Sequence, residues 1–267
     1  MNCGRGSTVL NGIRFGWRLA GFGSLVAGAL IEYAAGLALA GRQQDWNARA
    51  RWLSRLSSRI LRLLGVQVRA EGYPPRSGLL VSNHLSYLDI LVLASLQPGF
   101  FVAKADVARW PLFGLLAGLG GTLFVRRDRR TEVGKSNEAL ARRLGCGTPV
   151  VLLPEGTSSD GRSVLPFRSA LLASVTATQT PATPAWIGYH LERGVAEDEV
   201  CYWRDMVFLP HFLHLLSLPV IHAAVVFGQP LSGFQDRKAL AAVLHDQVAD
   251  LGLRGRALLA QKTAAKL

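Results

Sequence analysis

The chain is 267 residues long and 49% apolar, with 30 Lys and Arg against 18 Asp and Glu, a net charge of +12. That much apolar material excludes a disordered chain and suffices for one large α/β domain, alone or with an appendage. Only one stretch, roughly residues 19–41, is long and apolar enough to cross a bilayer, which excludes a many-pass membrane protein.

Three cysteines, Cys3, Cys146 and Cys201, lie far apart, giving neither a disulfide framework nor a paired metal-ligand spacing, so a reducing compartment is expected. The basic charge is concentrated. Residues 1–76 hold eleven Arg against Glu32, Asp45 and Glu71, a pattern that suits an anionic membrane surface. No DNA- or RNA-binding signature supports a nucleic-acid partner.

Residues 19–41 (LAGFGSLVAGALIEYAAGLALAG) form a helix about 34 Å long at 1.5 Å per residue, enough for a hydrocarbon core of about 30 Å. Glu32 interrupts it at a cost of up to about 3 kcal/mol within a bilayer. Spanning and lying half-inserted are both open. So are a signal peptide, with Arg14 and Arg18 before the apolar run and Ala38-Leu39-Ala40 as cleavage site, and a buried helix of a soluble protein. Residues 51–65 (RWLSRLSSRILRLLG) then place Leu53, Leu56, Ile60, Leu63 and Leu64 on one helical face and Arg51, Arg55, Arg59 and Arg62 on another. Such a basic amphipathic helix suits the headgroup plane, its apolar face in the acyl boundary; the alternative is a surface helix packed on the core. Residues 1–64 thus read as a membrane anchor and 65–267 as the main domain.

From Gly65 onward, short β-type runs at 66–70, 78–83, 99–104, 121–127, 149–155, 183–189 and 222–228 alternate with helical segments around 88–96, 106–118, 131–144 and 168–178, and 236–262 closes the chain as helix. The alternation predicts an α/β fold: a mixed, largely parallel sheet covered by helices. Several runs lack polar alternation, as in strands covered on both faces.

No G-x-S-x-G elbow, P-loop or strand-linked G-x-G-x-x-G is present. Polar residues instead gather at strand ends. His84 and Asp89 follow strand 78–83, with Ser86 and Asp89 spaced as N-cap and N3 of the next helix. The carboxylate can then curl back to the imidazole, fixing its tautomer while the other ring nitrogen takes a proton from a hydroxyl. His245 and Asp250 share the spacing but lie within a continuous helical pattern, about 140° apart around the axis. Three further clusters follow: Gly121 to Arg127, a strand delivering arginine at its end for an anion; Leu153 to Thr157, a buried run ending in a turn that exposes a carboxylate, a hydroxyl and backbone N–H groups; and Pro181 to Pro184. His211 and His214, with Asp205 near, share a helical face but read as a packed or membrane-facing pair rather than metal ligands.

Together the blocks NHLSYLD, GTLFVRR, PEGT and PATP resemble, in order and spacing, the four blocks of the glycerolipid acyltransferases, best known from 1-acylglycerol-3-phosphate acyltransferase. FVAKADVARWPLFG is similar to that family's lysine-bearing segment at Lys104. The resemblance covers roughly residues 65–230. It implies transfer of a fatty acyl group from acyl-CoA or acyl carrier protein to a lysolipid hydroxyl, with no metal or other cofactor. His84 would be the general base and Asp89 its orienter. Asn83, Lys104, Gly121, Phe124, Arg127, Glu155, Gly156 and Thr157 would bind substrate, and backbone N–H groups near Gly156 would meet the oxyanion. An inner-membrane enzyme facing the cytoplasm is implied as well.

Two departures bear on the acceptor. Ser158 stands where phosphate-acceptor enzymes of the family carry arginine, and Arg126 where an acidic residue is common; Arg162 or Arg168 is then left to supply the charge. Residues 155–172 and 203–211 look closer to the branch that includes lyso-ornithine lipid acyltransferases, so that acceptor stands beside 1-acylglycerol 3-phosphate. A noncatalytic lipid-binding relative and a lipid hydrolase are the rivals.

Overall fold

The computed structural model describes residues 3–39, 45–126 and 130–264. Two long helices lead: α1, Cys3–Leu39, and α2, Trp46–Leu64. The Asp45 carboxylate caps α2 by accepting from Asn47 N at 2.9 Å. Gly65 ends it at φ 72°, where a Cβ would lie 2.6 Å from Arg18 Nη2 and 2.9 Å from the Pro219 carbonyl oxygen. Only glycine fits that left-handed corner.

Seven strands follow: β1, Val66–Glu71; β2, Leu79–Ser82; β3, Phe100–Lys104; β4, Leu123–Val125; β5, Val150–Leu152; β6, Ala182–Leu191; and β7, Ile221–Phe227. They form one sheet in the order β1-β7-β6-β2-β5-β3-β4, parallel except where β6 meets β7. Each predicted run matches one strand. The helices between are α3, Leu88–Leu96; α4, Phe113–Leu119; α5, Arg130–Leu144; α6, Ala173–Thr178; α7, Ala196–Glu199; and α8, Phe208–Ser217, with α9, Arg237–Ala264, closing the chain.

Strand side chains alternate between two cores, as the two-residue period of a strand requires. Leu79, Val81, Phe100, Val102, Val150 and Leu152 pack with Leu140 of α5, Val175 of α6 and Leu244 of α9. Leu80, Phe101, Val151 and Ile187 point the other way, to α2, α3 and α8. Burying each such Leu or Phe is worth about 1.5–3 kcal/mol.

This second core corrects one expectation. Trp52, Leu53, Leu56, Ile60, Leu61 and Leu64 of α2 are buried within it, so the apolar face of α2 is spent on the protein and does not face an acyl boundary. The amphipathic pattern is that of a helix packed on the core with its arginines outward.

Helix α1 packs on α2 and α8 through Arg18, Phe22, Val26 and Ala29, one helical stripe. Arg14 Nη1 donates to Ser217 O at 2.9 Å, and Arg18 donates to Leu216 O, Leu218 O and Pro219 O. These carbonyls end α8, where a cation is favoured by the helix dipole. Trp52 Nε1 donates to Ala29 O at 3.0 Å, and Glu32 is paired with Arg55 at 2.6 Å and Arg59 at 2.9 Å. The Arg55 guanidinium, then Arg59, hold the Glu32 carboxyl below its ordinary range against partial burial. From Arg14 to Glu32 the helix is thus gripped along the domain. It is not a buried helix, because Ile13, Trp17, Leu19, Ile31 and Leu37 face outward. Helix α1 thus lies along the domain with one apolar face open.

Candidate active site

Strands β6, β2, β5, β3 and β4 run parallel, so the segments leaving β2, β5, β3 and β4 emerge along one edge of the sheet. Ligand sites of open parallel sheets lie at this edge. It carries His84 after β2, Glu155 after β5, Lys104 at the end of β3 and Arg126 after β4.

His84 and Asp89 meet as expected. His84 Nδ1 lies 2.7 Å from Asp89 Oδ2, with the histidine side chain 21% exposed and the carboxylate wholly buried. A carboxylate only accepts, so Nδ1 carries the proton and Nε2 a lone pair. The same Oδ2 accepts from Leu85 N at 2.7 Å and Ser86 N at 3.0 Å. Asp89 thus caps the start of α3 and orients the base at once. Half of the expected capping box is missing: Ser86 Oγ is buried without a partner among the described residues.

The turn holding His84 is fixed from three sides. Asn83 spans to β6, its Nδ2 donating to Ile187 O at 2.9 Å and its Oδ1 accepting from Ile187 N at 2.8 Å. Asn83 thereby braces the turn against β6. Ser159 N donates to His84 O at 3.0 Å and Tyr202 N to Leu85 O at 2.8 Å. Ser158, where an arginine was looked for, donates its hydroxyl to the Tyr202 carbonyl and ties these two covering segments together.

Glu155 departs from expectation. The PEGT turn does not expose its carboxylate: Glu155 is 3% exposed, with the backbone of His84 and Leu165 near it and no side-chain partner among the described residues. Burial pushes its carboxyl up to about 8, offset in part by the nearby backbone of His84 and Leu165 and reinforced by the Asp89 charge. It therefore sits as a largely neutral acid beneath the base at neutral pH. Gly156 N donates back to Leu153 O at 3.3 Å, which occupies the amide expected at the oxyanion. Thr157 is exposed at the rim.

Gly121 is buried and turned toward the core, with the place of a Cβ 3.1 Å from Phe100 Cδ1; it packs the turn into β4 and does not face the edge. Phe124 is half-buried on β4, its ring 3.8 Å from the place of a Cβ on Gly118 in α4. Arg127 lies outside the described residues. Its neighbour Arg126 lines an open basic cleft with Lys104, Arg109, Arg168 and one acid, Asp106. Arg162, the other candidate cation, is exposed beside Asp160.

On the other side of the His84 turn lies an apolar cleft of about 110 Å³, walled by Phe22 of α1, Leu56 of α2, Tyr87 and Leu91 at α3, Ala117 of α4 and Phe212 of α8. Tyr87, three residues from His84, joins cleft to base. Its hydroxyl lies 2.8 Å from His211 Nδ1, while His211 Nε2 reaches Cys201 O at 3.1 Å, so that histidine is a packed bridge. His214 turns to Glu199, 3.2 Å away.

Two contacts escaped the sequence. Tyr189 at the end of β6 donates to Asp89 Oδ1 at 2.6 Å, and the segment through Tyr202 covers the His84 turn. The run TPAWIGY foretold the strand that carries Tyr189 but offered no sign of its partner a hundred residues away.

An imidazole oriented by a buried carboxylate, in a fold that also offers an apolar cleft and a basic one, is the equipment of an enzyme acting on lipids through an alcohol. The chain belongs to the glycerolipid acyltransferase family, and it is an acyltransferase acting on lysolipids. The family model described as Acyltransferase matches residues 65–188. The lyso-ornithine lipid O-acyltransferase of Brucella abortus (strain 2308) is 36% identical over 208 residues, 71% of this chain and 77% of the relative. That of Rhizobium meliloti (strain 1021) is 34% identical over 233 residues, covering 79% and 80%. Among solved structures, the 1-acyl-sn-glycerophosphate (LPA) acyltransferase PlsC from Thermotoga maritima superposes with a TM-score of 0.65 at 20% identity, over 91% of this chain and 97% of that one. The fold is shared with that enzyme.

Proposed function

We propose that this protein transfers a fatty acyl group from acyl-CoA or acyl carrier protein to the free hydroxyl of lyso-ornithine lipid, with His84 as general base. The observation that carries the mechanism is the 2.7 Å contact of His84 Nδ1 with Asp89, which leaves Nε2 to act. As the hydroxyl oxygen bonds to the thioester carbonyl carbon, Nε2 takes its proton, and Asp89 stabilises the imidazolium. The tetrahedral intermediate then collapses. The carbon–sulfur bond breaks, and the thiolate leaves with the proton held by His84. The enzyme itself is never acylated.

The acceptor follows from three features: similarity to relatives named for lyso-ornithine lipid, a serine at 158 bound to the backbone, and a cleft that offers an acid beside its cations. An ornithine headgroup carries a carboxylate and an ammonium, which suit Lys104, Arg126 and Asp106 in turn. 1-Acylglycerol 3-phosphate is the second reading, favoured by the excess of cations in the same cleft. The acyl chain would occupy the apolar cleft, each buried CH₂ adding about 0.8 kcal/mol. The uncharged outer face of α1 would lie in the surface of the inner membrane, with the catalytic edge toward the cytoplasm.

Incubating membranes that hold the protein with labelled acyl-CoA or acyl carrier protein, and lyso-ornithine lipid, lysophosphatidate or water as acceptor, tests the reading. Labelled ornithine lipid is expected; free fatty acid alone would make the protein a hydrolase. His84→Ala should abolish transfer and leave membrane association unchanged, and undiminished turnover would remove the dyad.

A further inference from the structure

We propose that Tyr189 is a positioning residue for acyl transfer: by donating to Oδ1 of Asp89 it fixes the plane of the carboxylate whose Oδ2 holds His84. The inference rests on His84 being the general base. Oδ2 receives three donors, His84 Nδ1, Leu85 N and Ser86 N. All three come from one turn, and all pull on one oxygen. Tyr189 supplies the bond to the other oxygen, at 2.6 Å, and it comes from a different strand.

Two oxygens fixed from two elements stop the carboxylate from rotating about its Cβ–Cγ bond. A wholly buried Asp89 would otherwise leave Oδ1 with no donor, a state that a charged carboxylate relieves by turning or by taking up a proton. Either response withdraws Oδ2 from its role. The phenol is suited to the task because burial, then the Asp89 charge, pushes its ionisation well above the ordinary range, so it remains a donor wherever the enzyme works. The strand itself is pinned at this height by the Asn83 bonds to Ile187, two residues before Tyr189.

The groups facing Asp89 are His84 from the turn, Tyr189 from β6, Glu155 from beyond β5 and Cys201 from the segment after α7. Burial raises the Cys201 thiol and keeps it neutral, which leaves Glu155 as the neighbour that can move with pH.

Tyr189→Phe keeps the ring and deletes the donor. In the full chain, kcat is expected to fall about ten- to hundredfold, the scale of one hydrogen bond to a charged group, with KM for lysolipid little changed. The acidic limb of the kcat–pH profile should also move to higher pH, because a carboxylate that has lost a donor attracts the protonated form of the base more strongly. The same shift should appear when Glu155→Gln is present in both proteins, which separates it from titration of Glu155. Replacing Tyr189 by a ring-fluorinated tyrosine, a stronger donor of nearly the same shape, should move the limb the other way, and it carries the test if Tyr189→Phe does not fold. An unmoved profile in the fluorinated protein, or Tyr189→Phe with unchanged kcat, overturns the proposal. Loss of kcat with an unmoved limb also overturns it, since that marks a purely structural residue. If His84→Ala abolishes turnover while Tyr189→Phe does not, only the role of Tyr189 falls; turnover in His84→Ala removes the base itself.

Discussion

Glu155→Gln isolates the cost of the buried acid under the base. Glu155 is 3% exposed, and its carboxyl is raised from 4.5 to about 8, chiefly by burial. Between those two values the folded state holds a proton that the unfolded state has released, so unfolding is favoured as pH rises. The slope is about 1.4 kcal/mol per pH unit, or about 4 kcal/mol between pH 5 and pH 8. Glutamine has the same shape and no proton to lose. The variant and the parent should therefore melt alike near pH 5, apart from a constant offset, and diverge above it. At about 2–4 °C per kcal/mol for a chain of this size, the variant gains on the order of ten degrees by pH 8. Thermal melts of both proteins in detergent across pH 5–8 measure the difference directly. The offset carries whatever the amide does to packing; the slope carries the ionisation alone. Parallel curves would refute the reasoning and mean that Glu155 finds a charge-stabilising partner at its buried site.

Two further outcomes probe the surfaces around the site. Ala117→Trp fills the apolar cleft at α4, so the longest acyl chain transferred should shorten by several carbons while short-chain turnover persists, read from a panel of acyl-CoA lengths; an unchanged range would place the chain elsewhere. Trp17→Asp with Ile31→Asp puts two charges on the open face of α1 at about 2–3 kcal/mol each in lipid, and should move protein from the membrane fraction to the soluble one without lowering the melting temperature. Unchanged partition would refute the role given to that face.

Short apolar runs alternating with helical segments made the seven strands legible: β3 and β5 had to fill two cores and so carry unbroken apolar runs, while the edge strand β1 alternates with Gln67 and Arg69. The His84–Asp89 pair was legible too, because five residues spanning a strand end and the first turn of a helix leave the carboxylate little choice but to fold back. What the spacing did not carry was depth. Glu155 and Asn83 are polar residues at strand ends, which suggests solvent, yet one is buried against the His84 turn and the other is bound to β6. The partners that bury them come from segments distant in sequence, and nothing local announces such contacts. The same is true of α2, whose arginine stripe suits lipid phosphate as well as water; only the presence of α1, α3 and α8 on its other face decides.

The first helix links attachment to chemistry through the disposal of its charges. Between Ile13 and Ala38 only Arg14, Arg18 and Glu32 are charged, and each is bound within the protein: the arginines to carbonyls at the end of α8, the glutamate to Arg55 and Arg59 of α2. The outward face is thereby left without charge. The inward face meanwhile brings Phe22 against α2 and α8 to close one wall of the apolar cleft. Docking α1 thus does two things in one step. It completes the apolar cleft, and it sets an uncharged helix face on the outside of that same wall. On the proposed reading, in which the open face of α1 lies in a lipid surface, an acyl chain whose exposure costs about 0.8 kcal/mol per CH₂ would enter the apolar cleft past the helix that walls it, with little water to cross.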